Sequence, residues 1–149
     1  IVRRGHELGN HLTEDRPSIR LSPEAFEADL VAAERVIAPF IPFTTSTHAD
    51  PLRWLRPASG WYNATMIRIA TKHGYRVALG SIFPFDTHIA SVGFCVLHIR
   101  LNAAPGSIIV LHDSGAWGDR TALTLEKVLP LLIRRGYQIV SLSELVGLS

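Results

Sequence analysis

The chain has 149 residues, 47% of them hydrophobic and 19% charged, with a formal net charge of +2. That balance describes one ordinary domain, residues 1–149, large enough for a real core, and it excludes a disordered chain. Scattered Arg and Lys without a basic, aromatic-laced stripe argue against nucleic-acid binding, and a single cysteine, Cys95, excludes a disulfide framework or thiolate cage.

In chain order, "HELGN" at residues 6–10 reads as a short strand, followed by a loop through Pro17. Ser22-Pro23 marks a helix start, a capping side chain followed by proline at the first helical position. Phe26, Leu30, Ala33 and Ile37 then mark one helical face, closed by Pro39. Residues 40–51 read as a loop with two prolines. "RWLRP" reads as a short strand and "WYNATMIRIATKHG" as a helix ending on a glycine cap. "YRVALGSI" is the next strand, and Ile89, Val92, Val96 and Ile99 mark the buried face of another helix.

"GSIIVLH" is a nearly continuous apolar run, as expected for a strand covered on both faces. Residues 120–135 predict a helix with Leu125, Val128, Leu129 and Leu132 inward and a kink at Pro130. "YQIVSL" closes the series as a strand. No apolar run approaches the roughly 18 residues of a membrane span, so none is expected. The alternation of roughly five strands and four helices predicts a parallel α/β sheet or barrel. A barrel of that class usually takes about 200 residues or more, so the chain reads as about the last two thirds of one.

In such folds functional groups gather at the carboxyl ends of strands. Those ends carry His11 and Asp15, then Arg56, Ser59 and Gly60, then Asp86 and His88, then His112 and Asp113, and all are expected at one rim. An imidazole and a carboxylate four residues apart suit zinc or a similar divalent ion, although a catalytic zinc usually has three protein ligands. The alternative for His11 and Asp15 is a polar loop with an Asx-type turn before Pro17. His112 is a candidate general acid or base, or else a histidine satisfied by a backbone carbonyl. Arg56 is either a fork for a carboxylate or an ordinary strand-end arginine. Cys95, among Phe94, Val96 and Leu97, reads as core packing, and His73 and His98 as surface or cap residues. No GxSxG elbow, P-loop or GxGxxG fingerprint is present.

At these residues the sequence resembles the polysaccharide deacetylases, the NodB-homology domain of carbohydrate esterase family four. The family pattern "GHEIGNHT..SH" is similar to "GHELGNHLTED" through His11, with Asp15 in place of the second histidine. "RPPYG..N" resembles "RPASGWYN", Arg56 to Asn63. "SxDPxDW" is matched weakly by "SIFPFDT", where Asp86 is retained and Thr87 replaces tryptophan. "GSIILLHD" is nearly identical to "GSIIVLHD".

The resemblance implies a distorted (β/α) barrel, NodB-like and N-terminally truncated, and metal-dependent removal of acetyl groups from a carbohydrate. It implies that His11 and Asp15 hold a divalent metal, zinc first, and that His112 is the general acid, oriented and favoured in its charged form by Asp86. The same likeness makes the backbone N–H of Ser59 an oxyanion donor, Arg56 the tether of the catalytic base, and Leu111 and Trp61 the lining of the acetyl pocket. Asp15 adds negative charge where the family has a neutral imidazole, which bears on metal preference. The family's first motif, "TFDDGP", has no counterpart in the chain and is expected upstream of Ile1 or in another chain, and pairing with a missing N-terminal segment or another copy is expected to cover the open strand edges. Acetylated poly- or oligosaccharide is the implied partner, and a secreted or cell-surface location is implied. Two other readings remain, a non-catalytic carbohydrate-binding relative and a different α/β metal-dependent amidohydrolase.

Overall fold

The computed structural model describes residues 1–41, 53–115 and 117–147, and the chain divides into two units, Ile1–Leu79 and Gly80–Ser149, each with its own core. The expected loop at 40–51 lies, from residue 42 on, outside the described residues.

In the first unit, helix α1 (Pro23–Ile37) starts where the capping signal places it. The Ser22 hydroxyl accepts the Ala25 N–H, and Phe26, Leu30 and Ala33 are buried. Strand β1 (Arg53–Leu55), helix α2 (Ala64–Lys72) and strand β2 (Tyr75–Val77) follow, and the two strands pair in parallel, Trp54 opposite Arg76. A parallel pair needs such a crossover, and α2 supplies it. The helix begins later than the sequence suggests, because the Asn63 side chain accepts the Met66 N–H and holds its own backbone extended, which leaves Trp61 and Tyr62 outside. Past its end, Gly74 takes φ +75°, a conformation that favours glycine. Phe26, Leu30, Leu55, Met66, Ala70 and Tyr75 form the core.

The expected strand at "HELGN" reduces to one parallel bridge, Asn10 to Leu55. The Asn10 N–H donates to Trp54 O at 2.7 Å and the Arg56 N–H to Asn10 O at 2.9 Å, so pairing stops after one residue. A side chain on Gly9 would meet Trp54 O at 3.3 Å, which shows how closely the two backbones pass.

In the second unit, helix α3 (Val92–Asn102) is capped by Ser91, and helix α4 (Trp117–Arg134) runs on past Pro130 to Arg134. Ile82, Ile99, Val128 and Leu132 form the core. Fully burying one such side chain stabilises by about 1.5–3 kcal/mol relative to leaving it exposed. Four expectations are corrected here. "GSIIVLH" holds a single parallel bridge, Ile109 to Ile82, rather than a full strand. "YQIVSL" is not a strand among the described residues; Ile139 and Val140 are exposed, and a Ser141–Glu144 capping box starts the short helix α5 (Leu142–Leu145). Leu125 faces outward, because Thr121, Thr124, Val128 and Leu132 take the inward stripe of α4. On α3 the buried positions are Cys95 and Ile99, and Ile89 precedes the helix.

Among the described residues the hydrogen-bonded sheet has two strands, so the α/β class holds while the closed barrel is not seen. No helix among them is long and apolar enough to cross a membrane.

Candidate active site

In the first unit the site is built outward from Asn10, which is buried. Its amide donates to Leu30 O at 3.0 Å and to the Tyr75 hydroxyl at 3.3 Å, while its oxygen accepts the Leu12 N–H at 2.9 Å. That last bond is an Asx turn, and it supports a left-handed Leu12 at φ +69°. The chain therefore turns sharply at His11.

The Nδ1 of His11 lies 2.7 Å from Arg56 O. A carbonyl only accepts, so Nδ1 carries a proton, and in the neutral ring Nε2 keeps its lone pair. Nε2 is 3.9 Å from Asp15 Oδ1, and the two side chains are 42% and 64% exposed. This separation is too long for a hydrogen bond, and the pair would offer one nitrogen and one oxygen to a divalent ion. The donor chemistry fits a divalent ion, because a ligating imidazole usually donates its other N–H to a carbonyl or carboxylate. Among the described residues no group of three or more His, Cys, Asp or Glu gathers to hold one ion. The Asx turn lies at Asn10–Leu12, ahead of the position before Pro17 where the sequence reading set one.

Arg56 is half-buried, and burial lowers the pKa of its guanidinium, opposed by the nearby Asp15 carboxylate. Its peptide group does the visible positioning, accepting from His11 and donating to Asn10. Ser59 lies exposed in the Ala58–Gly60 turn with φ +61°, followed by Gly60 at +70°. Trp61 and Tyr62 follow directly and are 65% and 45% exposed.

In the second unit Asp86 is 5% exposed. Its carboxylate accepts the His112 backbone N–H at 2.7 Å and His112 Nδ1 at 3.1 and 3.2 Å. The ring is thereby fixed with Nε2 away from the carboxylate. The Thr121 hydroxyl donates to His112 O, and Trp117 packs edge-on to the imidazole at 6.3 Å between centroids. A side chain at Gly118 would come within 2.8 Å of Asp113 O, so glycine lets the start of α4 approach this loop. His112 is thus satisfied by a carboxylate and not by the carbonyl of the alternative reading. Leu111 is half-buried against the Ile82–Ile99–Val128–Leu132 core.

Asn10, Thr121 and Trp117 are the positioning residues that reading the sequence missed. Asn10 precedes a candidate ligand and is a plausible turn residue, whereas nothing in the spacing marks Thr121. Cys95 is buried with its thiol donating to Pro84 O at 3.5 Å, and burial pushes its pKa up, which suits packing and not nucleophilic attack. His73 caps α2 and bonds Glu27, and His88 is exposed beside Thr87.

A polysaccharide deacetylase family model matches residues 1–78. The chain is 31% identical over 148 residues to a peptidoglycan-N-acetylglucosamine deacetylase of Bacillus cereus, covering 98% of this chain and 66% of that protein. Its fold is similar to the crystal structure of the peptidoglycan N-acetylglucosamine deacetylase Bc1960, with a TM-score of 0.86, 20% identity, and coverage of 100% of this chain and 67% of that one. It is also similar to a CE4 family pseudoenzyme from Bacillus anthracis, with a TM-score of 0.83, 20% identity, and coverage of 99% and 49%. The chain spans slightly under two thirds of the Bacillus cereus relative's length and about half of the pseudoenzyme's. The family match over residues 1–78 and the identity across 98% of the chain establish that it belongs to the polysaccharide deacetylase family.

Proposed function

We propose that the protein containing this chain removes acetyl groups from an N-acetylated carbohydrate with the help of a divalent cation, zinc first. One observation carries the reading. Each unit presents a histidine anchored through Nδ1 with its Nε2 left over, His11 beside Asp15 and His112 on buried Asp86. His11 and Asp15 would hold the cation, which when bound supplies Lewis acidity toward the acetyl oxygen and eases deprotonation of water. His112 would carry a proton on Nε2 and give it to the departing amine nitrogen, with Asp86 keeping the ring in line. The Ser59 N–H would donate to the developing oxyanion, Arg56 would hold the carboxylate of a general base, and Leu111 and Trp61 would line the acetyl pocket.

Acetate release from oligomers of N-acetylglucosamine checks this. Release should fall to background with a chelator and return on adding zinc. Release indifferent to chelator would overturn the metal mechanism, and release from O-acetylated sugar alone would overturn the N-acetyl assignment.

A second reading, a non-catalytic carbohydrate binder, is favoured by the adjacent exposed rings of Trp61 and Tyr62, which suit stacking on sugar faces. Oligosaccharide binding with no acetate release, even with zinc in excess, would establish it instead.

A further inference from the structure

We infer that Asp29 is a positioning residue for the His11–Asp15 loop, an inference that rests on the metal reading of that pair. The loop is held firmly at its start by the Asn10 amide and the His11 bond to Arg56 O. Toward Asp15 it runs exposed, from Thr13 to Arg16. Between these regions the side chain of Asp29, on α1, grips it. Asp29 Oδ1 accepts the Thr13 backbone N–H at 3.1 Å and also the Thr13 hydroxyl.

Asp29 is well suited to this. It sits on α1 between Phe26 and Leu30 and four residues before Ala33, all three buried, so its backbone is fixed by the core of the first unit. Both bonds converge on one oxygen. The other, Oδ2, is buried with no hydrogen-bond partner among the described residues. A buried carboxylate oxygen left unsatisfied is a local cost. The clamp fixes Thr13, two residues after His11 and two before Asp15, and so sets where the exposed Asp15 carboxylate stands relative to His11 Nε2. Without it Asp15 would have to be ordered at the moment an ion binds, and that ordering would weaken the affinity.

The test is zinc affinity, measured by competition with a chromophoric chelator, alongside the melting temperature of the metal-free protein. Asp29→Ala removes both bonds and should weaken zinc binding about 10- to 100-fold, the range for losing a partner that orients a ligand. Asp29→Asn keeps an acceptor oxygen for both Thr13 donors and should bind within about threefold of wild type. Thr13→Val loses only the hydroxyl bond and should fall between the two. Wild-type affinity in Asp29→Ala would overturn the inference, as would equal losses in Asp29→Ala and Asp29→Asn, which would point to charge and not to the clamp. Should Asp29→Ala not fold, Thr13→Val decides, and unchanged affinity there overturns it. Wild type and His11→Ala equally inert toward zinc would sink the metal reading itself, a different failure from a wild type that binds while Asp29→Ala binds as well.

Discussion

The two units solve one problem in two ways. Each fixes an imidazole through Nδ1, but the first unit uses a backbone carbonyl, that of Arg56, and the second a buried carboxylate, that of Asp86. A neutral carbonyl opposite Nδ1 fits a ring that stays neutral and ligates. A carboxylate fits a ring that takes up and gives away a proton, because the anion holds the ring in place in both states. The surroundings differ in the same sense. Asp15 is largely open to solvent, where an ion can reach it, whereas Asp86 is enclosed and also accepts the His112 backbone N–H. What stands behind each imidazole thus differs, a neutral acceptor in the first unit and an enclosed anion in the second.

The largest expected effect tests this division of labour. His112→Ala should lower turnover about 10²- to 10⁴-fold while leaving zinc affinity unchanged, since the first unit alone is proposed to hold the ion. Equal losses of turnover and zinc affinity, read by acetate release and chelator competition, would break the comparison. Next comes the first unit's buried bolt. Asn10→Ala strands the Leu30 carbonyl, the Tyr75 hydroxyl and the Leu12 N–H, and should cost about 2–3 kcal/mol in a denaturant titration. A loss under about 0.5 kcal/mol would mean that the loop before His11 is held by something else.

The smallest effect is a pH dependence. Glu27 accepts from Lys72 Nζ at 2.8 Å and from His73 Nε2 at 2.6 Å, and these bonds hold its carboxyl below the ordinary 4.5. A lowered folded-state value means stability that is present above the unfolded value and lost as pH falls through the folded one. Glu27→Gln should therefore flatten the acid limb of the stability curve below about pH 4.5, and only slightly, because the group is at the surface. An unchanged acid limb would show that the pair contributes nothing.

Much of the local structure was legible in the chain itself. Ser22-Pro23 announces the start of α1, and Phe26, Leu30, Ala33, Val128 and Leu132 fall on the faces that periodicity gives them, whereas the caps Ser91 and Ser141–Glu144 were not read as such. The sequence also set His112 with Asp86 and His11 with Asp15, and the structure brings each pair near, the first through hydrogen bonds and the second at 3.9 Å. Strands were read too generously. "HELGN", "GSIIVLH" and "YQIVSL" have strand-like composition, but a strand exists only where a neighbour completes the ladder, and Asn10 and Ile109 each find one partner. Leu125 was misread because α4 buries Thr121 and Thr124 on its inward stripe, which polarity alone does not suggest.

By itself the sequence determined the start of α1, most of the inward positions of α1 and α4, and the family resemblance, all properties of residues near one another along the chain. Only the tertiary structure decided which acceptor stands behind each imidazole, Arg56 forty-five residues from His11 and Asp86 twenty-six from His112. A hydrogen bond depends on where two groups lie in space to within a fraction of an ångström, and that placement comes from packing of the core rather than from the spacing of letters.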